Sequence, residues 1–216
     1  MLVSPAPHIV HVTECLASGT MNFLMQATRE LAAAGASQVL LYSRRPDTPA
    51  DVRSLFDRRV EMIELPPLGR AYIGYARAMR RAMLAELDES RDVTIHLHSS
   101  KAGFLGRLAL MGLRRPPKVY YSPHGLSFLN RRYLAPSVAF RALEWVAARA
   151  VASTAVGCSH GEAALLSGIG PAGARVLENA VDDSFFTIGP APSTPTIRGR
   201  KCCSTITPSA ERCSFP

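Results

Sequence analysis

Short apolar runs alternate with longer amphipathic segments along most of this chain. Runs rich in Val, Ile, Leu and Tyr are typical of buried β-strands, whereas apolar residues spaced three or four apart predict helices. The predicted strands cover residues 8–13, 38–43, 60–65, 93–99, 118–122, 153–159 and 174–180. The predicted helices cover residues 20–34, 71–87, 102–113 and 137–152. Because strands joined by helices of this length pair in parallel, the pattern predicts an α/β fold with a doubly wound, Rossmann-like parallel sheet in a single domain.

The length and composition of the chain are those of one ordered domain. Its 216 residues are 47% hydrophobic and 19% charged, which is enough apolar material for one sizeable core. The formal net charge of +8 fits an anionic partner: nucleic acid, a membrane surface or a phosphorylated substrate. A surface that is simply rich in arginine would show the same balance, so charge alone does not separate these classes.

The sequence also carries signals about location. No window of 18 residues is both apolar and uncharged, so we expect no transmembrane helix, and the N-terminal MLVSPAPHIVHV predicts no signal peptide. The five cysteines are irregularly spaced and indicate neither a disulfide framework nor a zinc site. We therefore expect a cytoplasmic protein.

Candidate chemistry collects where predicted strands end. Small, polar and titratable residues follow four of the strands, in the segments 14–20, 99–103, 123–125 and 159–162. In an open parallel sheet, ligands bind at the carboxyl ends of the strands, close to the point where the strand order reverses. His124, between Pro123 and Gly125, would lie at this edge. The alternative is that His124 is a turn residue that faces solvent.

Several common chemistries are not supported by the sequence. It contains no GxGxxG motif after the first strand, no GxxxxGK[ST] motif and no GxSxG elbow. His96 and His98 are alternate residues of one predicted strand and share a face, so with His124 they imitate a metal site. No carboxylate or cysteine cluster completes such a site, and we expect no metal.

Five segments between residues 8 and 186 have the order and character of one known family. They are HVTECLASGTMNFLMQATRELAAAG, HLHSSKAGFLGRLA, YYSPHGLSFL, LEWVAARAVASTAVGCSHGE and VLENAVDDSFF. The set resembles the N-terminal domain of family 4 glycosyltransferases, which have the GT-B fold. The resemblance implies sugar transfer from a nucleotide-sugar co-substrate with retention at the anomeric carbon, and no required metal or other cofactor. It also implies that the acceptor docks mainly on this domain and the donor mainly on a second Rossmann-like domain.

The resemblance assigns roles on the donor side. Ser18, Gly19 and Thr20 match the glycine-rich loop beside the donor phosphates, where backbone N–H groups at a helix N-terminus favour negative charge. Many relatives have two adjacent glycines there, and this chain has only Gly19. His124 matches the family histidine at the reaction centre, where it would bond a sugar hydroxyl or stabilise charge in an oxocarbenium-like transition state.

Further residues match the acceptor side and its surroundings. Ser99, Lys101 and Gly125 are candidate acceptor contacts, Lys101 especially for an acceptor that carries phosphate, and Gly125 lets the backbone turn. Ser159 begins a predicted helix with Glu162 three residues later. We interpret that pair as a capping box with a structural role.

The last 30 residues depart from the family. Residues 8–186 form the predicted domain, and residues 187–216 hold five prolines, three cysteines and one acidic residue without periodicity, which predicts an irregular tail. The donor-domain signature of two glutamates separated by seven residues is absent. We interpret the change of composition as a frameshift or an early stop, with the chain truncated before its donor domain.

Three function hypotheses follow from the sequence. The first is the acceptor-side domain of a glycosyltransferase, inactive as this chain, that serves a saccharide or lipid-linked acceptor in cell-surface polysaccharide synthesis. The second is a non-catalytic module that binds an acceptor or a partner. The third is a nucleotide-sugar enzyme of the epimerase type. None of them involves nucleic acid.

The predicted helix over 71–87 suggests peripheral contact with the anionic inner face of the membrane. Tyr72, Tyr75, Met79 and Met83 recur at helical spacing and are expected to face the sheet. Basic residues that lie on another face or in nearby loops are Arg70, Arg77, Arg80, Arg81, Arg114, Arg115, Arg131 and Arg132. A solvated arginine face is the alternative interpretation.

Overall fold

The computed structural model of the chain describes residues 6–69, 72–87, 92–125, 134–170 and 173–179. The predicted tail over 187–216, the domain boundary at residue 186, and Arg70, Arg131 and Arg132 lie outside these residues.

Seven parallel strands form one sheet. They are β1 (His8–Thr13), β2 (Ser37–Ser43), β3 (Val60–Leu65), β4 (Val93–His98), β5 (Lys118–Ser122), β6 (Thr154–Gly157) and β7 (Ala174–Val176). Their order across the sheet is β3-β2-β1-β4-β5-β6-β7, so the direction of progression reverses between β1 and β4. This is the Rossmann-like order that the sequence predicted, and it places a crevice beyond the carboxyl ends of β1 and β4.

Five α-helices connect the strands. They are α1 (Ser18–Ala33), α2 (Tyr72–Ala85), α3 (Ser100–Leu110), α4 (Leu134–Ala150) and α5 (His160–Ser167). A short 3₁₀ helix over Val52–Leu55 was not predicted, because four residues are too few to show a helical period. It contributes Val52 to the apolar cluster beneath α1, together with Phe56.

The two faces of the sheet differ in chemistry. One face is apolar: Val10, Val12, Ile95 and Leu97 are fully buried and pack with side chains of α2 and α3. On the other face, the apolar cluster beneath α1 covers β2 and β3. The strands in the middle of the sheet carry polar residues on this face. Those residues, all buried or half-buried, are His11, Gln38, His96, His98 and Ser122.

Helix α2 corrects two expectations. Tyr75, Met79 and Met83 face the core as predicted, but Tyr72 is 52% exposed because it occupies the first turn of the helix, beyond the sheet. Arg80 is half-buried and donates a hydrogen bond to the backbone carbonyl of Ala109, so it belongs to the packing of α2 against α3. None of the helices in the described part of the chain is long and apolar enough to span a membrane.

Helix α3 lies unusually close to the sheet because it has glycines where a neighbour leaves no room for a side chain. A Cβ at Gly103 would come within 2.1 Å of the Tyr121 ring, and one at Gly106 within 2.6 Å of Leu97. The close approach buries Arg107 almost completely, at 1% exposure. The glycines at 103 and 106 therefore set the depth at which α3 packs.

Arg107 is held in the interior by a network that joins α3, α4 and β5. Its Nη2 lies 2.6 Å from Glu144 Oε2, its Nε donates to the carbonyl of Gly103 at 2.8 Å, and its guanidinium lies over the Tyr121 ring. The Tyr121 hydroxyl donates to Glu144 Oε1 at 2.6 Å. Each charge is paired and hydrogen-bonded, which is the condition for burying an ion pair.

We predict that Glu144→Ala strongly destabilises the domain. It leaves the Arg107 guanidinium buried without a counter-charge, and breaking one partner of a buried pair costs about 3–5 kcal/mol. Urea unfolding followed by circular dichroism measures this loss. The matched control is Glu30→Ala, whose carboxylate is 74% exposed; it should change the free energy of unfolding by less than about 0.5 kcal/mol. Equal stability of the two variants would contradict the prediction.

Candidate functional site

Backbone conformation marks the edge where β1, β4 and β5 end. Among the described residues, the non-glycine residues with positive φ are Ser18 at 51°, Ser99 at 73° and His124 at 50°. Such conformations are costly for L-residues and persist where surrounding structure holds them, often at functional sites. All three residues lie in segments that follow these strands, and all three are candidate site residues of the sequence analysis.

His124 lies at the crevice beyond the carboxyl ends of β1 and β4, and neighbouring elements hold it in place. Its Nε2 is 3.0 Å from His98 Nδ1, the two rings are nearly parallel, and the Phe23 ring centroid lies 4.7 Å away. Gly125, the next residue, has φ of 112° and donates its N–H to Glu162 Oε1 at 2.9 Å. The position of His124 is therefore fixed by the end of β4, by α1 and by α5.

Behind His124 runs a buried chain of side chains that bond one to the next. His98 Nε2 is 3.2 Å from His11 Nδ1, and His11 Nε2 is 3.3 Å from Gln38 Oε1. Gln38 Nε2 donates to the carbonyl of Thr28 on α1 at 2.9 Å. His11 and Gln38 were not predicted as site residues. The available signal was a lone polar residue in an apolar strand: His11 lies between Val10 and Val12, and Gln38 precedes Val39.

His96 completes the group. Its ring centroid lies 4.0 Å from that of His98, and its Nε2 is 2.9 Å from the Ser122 hydroxyl. His11 and His96 are register partners in neighbouring strands, so the switch point of the sheet is filled with imidazoles.

Burial keeps these imidazoles neutral. Loss of hydration lowers the pKa of His11 to about 4 and the pKa of His96 and His98 well below the ordinary value. Burial also lowers the pKa of His124 to about 4, although the nearby Glu162 carboxylate acts in the opposite direction. At neutral pH each ring therefore has one N–H donor and one acceptor nitrogen.

Three of these imidazoles have the spacing of a metal site. Ring nitrogens of His11, His96 and His98 lie within 4.8 Å of one another, so His11 takes the place that the sequence analysis gave to His124. However, His11 and His98 each use both ring nitrogens in hydrogen bonds, and His96 uses Nε2. We interpret the cluster as a hydrogen-bonded network.

Glu162 connects two strand ends. Ser159 is the N-cap of α5 and accepts from the Glu162 N–H at 3.2 Å. In a capping box the glutamate would return to the N–H of Ser159. Here its carboxylate instead accepts from the N–H of Cys158 at 2.7 Å and from that of Gly125 at 2.9 Å. The buried carboxylate therefore holds the turn that carries His124.

The N-terminal turn of α1 opens on a cavity of about 350 Å³. The cap residue is Ala17, which offers no side-chain acceptor to the first N–H groups of the helix. Ser18, Gly19, Thr20 and His124 all line the cavity, and a Cβ at Gly19 would meet nothing within 4 Å. The structure thus brings the predicted donor loop and His124 to one space.

The other predicted contacts lie apart from this cavity. Ser99 caps α3 through its hydroxyl, and its N–H donates to the Ser122 carbonyl at 2.9 Å. Lys101 lines a second cavity of about 350 Å³, where its Nζ is 3.9 Å from the buried Glu14 carboxylate. Arg45 is also 3.9 Å from Glu14 and lines both cavities. It was not predicted as a site residue, because the segment after β2 contains no recognisable motif.

Comparison with known families identifies the family of the chain. The family described as Glycosyltransferase Family 4 matches residues 17–185, which is more than half of the chain. The chain is a member of glycosyltransferase family 4. The resemblance found in the sequence is thereby confirmed.

Solved structures agree with the fold of this family 4 chain. One structure of sucrose-phosphate synthase from Thermosynechococcus elongatus has a TM-score of 0.54 and 16% identity, covering 83% of this chain and 92% of that one. Another structure of the same enzyme gives 0.57 and 17%, covering 80% of this chain and 48% of that one. The chain thus spans about half the length of the second structure. A search of curated proteins found no match.

We predict that the family 4 domain loses stability steeply in mild acid. The unfolded chain binds protons at histidines near pH 6.5, whereas the folded rings of His11 and His124 stay neutral down to about pH 4. The unfolded state therefore takes up more protons as pH falls through this window, and folding free energy is lost. Each of these two rings removes about 2 kcal/mol between about pH 7.5 and pH 5. Urea unfolding at several pH values measures the slope.

Two variants sharpen this test. His96→Gln keeps a hydrogen-bond partner for Ser122 and removes one buried ring. The slope of unfolding free energy against pH should therefore fall by about 1.4 kcal/mol per pH unit where it is steepest. His160→Asn, at an exposed position, should leave the slope unchanged. A wild-type stability that is flat from pH 7.5 to 5 would show that the buried rings do not resist protonation.

Proposed function

We propose that this chain is the acceptor-side domain of a retaining glycosyltransferase, which moves a sugar from a nucleotide-sugar to a saccharide or lipid-linked acceptor in cell-surface polysaccharide synthesis. The observation that supports this most is the cavity at the switch point, which the first turn of α1 and His124 line together. A nucleotide-sugar offers two chemically different ends, anionic phosphates and a hydroxylated ring. The two sides of the cavity match these ends.

The α1 side suits the phosphates. Backbone N–H groups at a helix N-terminus carry partial positive charge, and Ala17 leaves them available to a ligand. Gly19 leaves open space beside them. We assign Ser18, Gly19 and Thr20 to the donor phosphates, in a reaction that requires no metal.

The His124 side suits the sugar. Because burial keeps the imidazole neutral, His124 acts as a hydrogen-bonding group and not as a cation at physiological pH. A fixed lone pair would accept from a sugar hydroxyl and would stabilise the positive charge that develops on an oxocarbenium-like ring. Glu162 acts through the Gly125 N–H to hold the turn in place.

The second cavity suits an acidic acceptor. Arg44, Arg45 and Lys101 line it, and Glu14 supplies a carboxylate. Arg44 also pairs with Glu64 and Arg45 with Asp47, so Lys101, whose side chain is 55% exposed, is the cation best placed to meet an acceptor phosphate or carboxylate. We assign Lys101 to the acceptor, while Ser99 and Gly125 shape the backbone around it.

We propose that the 216-residue chain alone transfers little sugar. Holding a donor against an acceptor supplies much of the barrier reduction in a bimolecular reaction, and the donor contacts assigned here reach only its phosphates and one sugar hydroxyl. Such a chain would still bind ligands, which is what the binding-module hypothesis predicts. Titration calorimetry with UDP-, GDP- and ADP-sugars, with product analysis for sugar transfer and for altered free nucleotide-sugar, separates transferase, binding module and epimerase.

We predict that His124→Ala lowers kcat by about 10²-fold or more in a form of the protein joined to a family donor domain. Removal of one preorganised contact at a reacting centre has this scale. The control is His160→Ala, an exposed histidine beyond the cleft. Thermal unfolding of both variants checks the fold. An unchanged kcat for a folded His124→Ala protein would make His124 a turn residue.

We also propose reversible contact with the inner, anionic face of a membrane through the exposed Arg77, Arg81 and Arg114. Each basic residue contributes about 1 kcal/mol near such a surface, so Arg77→Ala with Arg81→Ala should lower vesicle partitioning about 30-fold. Sedimentation with anionic vesicles at low salt measures this, and high salt should abolish binding. Arg58→Ala removes a charge outside α2 and serves as control. Equal recovery in the supernatant with anionic and neutral vesicles would leave the arginines as a solvated face.

A further inference from the structure

We propose that Gln38, His11 and His98 fix the tautomer of His124, so that this ring carries its proton on Nε2 and presents an acceptor lone pair at Nδ1. These three are positioning residues, because they act on the reaction through His124. Their effect on sugar transfer rests on the proposed function, whereas the tautomer itself does not.

The direction in which these hydrogen bonds donate is set at the buried end of the series, at Thr28 and Gln38. The Thr28 carbonyl can only accept, so the atom of Gln38 that lies 2.9 Å from it must be the amide nitrogen. The other amide atom, Oε1, therefore faces His11 Nε2 at 3.3 Å. Because this oxygen can only accept, His11 must carry its proton on Nε2.

In each neutral ring one nitrogen donates and the other accepts, so the direction of donation continues from one ring to the next. His11 has one proton, on Nε2, so its Nδ1 accepts and His98 Nε2, 3.2 Å away, must donate. His98 Nδ1 is then an acceptor, and His124 Nε2, 3.0 Å away, must donate to it. His124 consequently has its lone pair on Nδ1.

The opposite direction is disfavoured at the first step. It would need the Gln38 amide nitrogen toward His11 and the amide oxygen toward the Thr28 carbonyl, which places two acceptors in contact in a buried site. Gln38 and Thr28 are 2% and 0% exposed, so solvent does not reach that contact. Burial of all three rings also keeps them from taking the second proton that would erase the direction.

This arrangement decides which ligand groups His124 can recognise. An acceptor nitrogen bonds a hydroxyl, which can donate, and repels phosphate or carboxylate oxygens, which can only accept. The carboxylate of Glu162 and the imidazoles of His96 and His98 act electrostatically on His124. His124 is thus specific for the hydroxylated part of a ligand, and α1 is left to meet the anionic part.

Nitrogen NMR of the ¹⁵N-histidine-labelled 216-residue chain, near pH 7.5, tests the proposal without any activity assay. Two-bond proton–nitrogen correlations identify which ring nitrogen carries the proton. We expect His11, His98 and His124 each to be a single, neutral Nε2–H tautomer, with the exposed His160 as internal reference. An Nδ1–H tautomer or a cationic ring at any of the three would overturn the proposal.

Two substitutions at His98 test the coupling. In His98→Asn the amide oxygen replaces the acceptor Nδ1, so His124 should remain Nε2–H. His98→Leu removes that acceptor, and His124 should change from one tautomer to a mixture. An unchanged His124 spectrum in folded His98→Leu would overturn the coupling; if that variant does not fold, the wild-type spectrum still decides.

In the donor-domain fusion, kcat of His98→Leu should fall and KM should change little, with rescue by His98→Asn. A changed tautomer with unchanged kcat would leave the tautomer proposal standing and contradict the proposed role of His124.

Discussion

The hydrogen bond between His98 Nδ1 and His124 Nε2 joins the interior of the sheet to the cleft. His98 is fully buried at the end of β4, whereas His124 lies on a turn that reaches a cavity. A loop residue is normally free to change its rotamer, but this contact makes the loop side chain an extension of the rigid strands. The rigidity of the sheet is thereby extended to His124, and the role we propose for this residue requires such a fixed position.

Rigid anchoring also explains how the edge tolerates unfavourable backbone. Ser99 at φ of 73° donates its N–H to the Ser122 carbonyl and caps α3 with its hydroxyl. His124 at φ of 50° is followed by Gly125, whose N–H is held by Glu162. Ser99 and His124 thus have hydrogen bonds at or beside them. The cost is offset by the same contacts that fix the site.

The sequence allowed the strands and helices to be predicted well, because the apolar periods of 2 and 3.6 are local signals. It also grouped His96 and His98 with His124, but it did not reveal the hydrogen bonds between these rings or the participation of His11. His11 and His98 are 87 positions apart, and their contact depends on the strand order and register of β1 and β4. Long side chains were equally hard to place: Arg80 belongs to a helix interface and Glu162 bonds across two loops, although both have the spacing of surface or capping residues.

The cluster of histidines has the spacing of a metal site, and we interpret it as a hydrogen-bonded chain of imidazoles. Metal binding would take nitrogens that already have partners, and the cluster has no described carboxylate that would balance an ion's charge. Neutral imidazoles avoid that cost, since each donates once and accepts once. In the proposed tautomer, the chain of rings ends in an acceptor at His124. The first turn of α1, which lines the same cavity, has backbone N–H donors without a side-chain cap. On our proposal, this one cavity distinguishes the hydroxylated and the anionic ends of a single ligand.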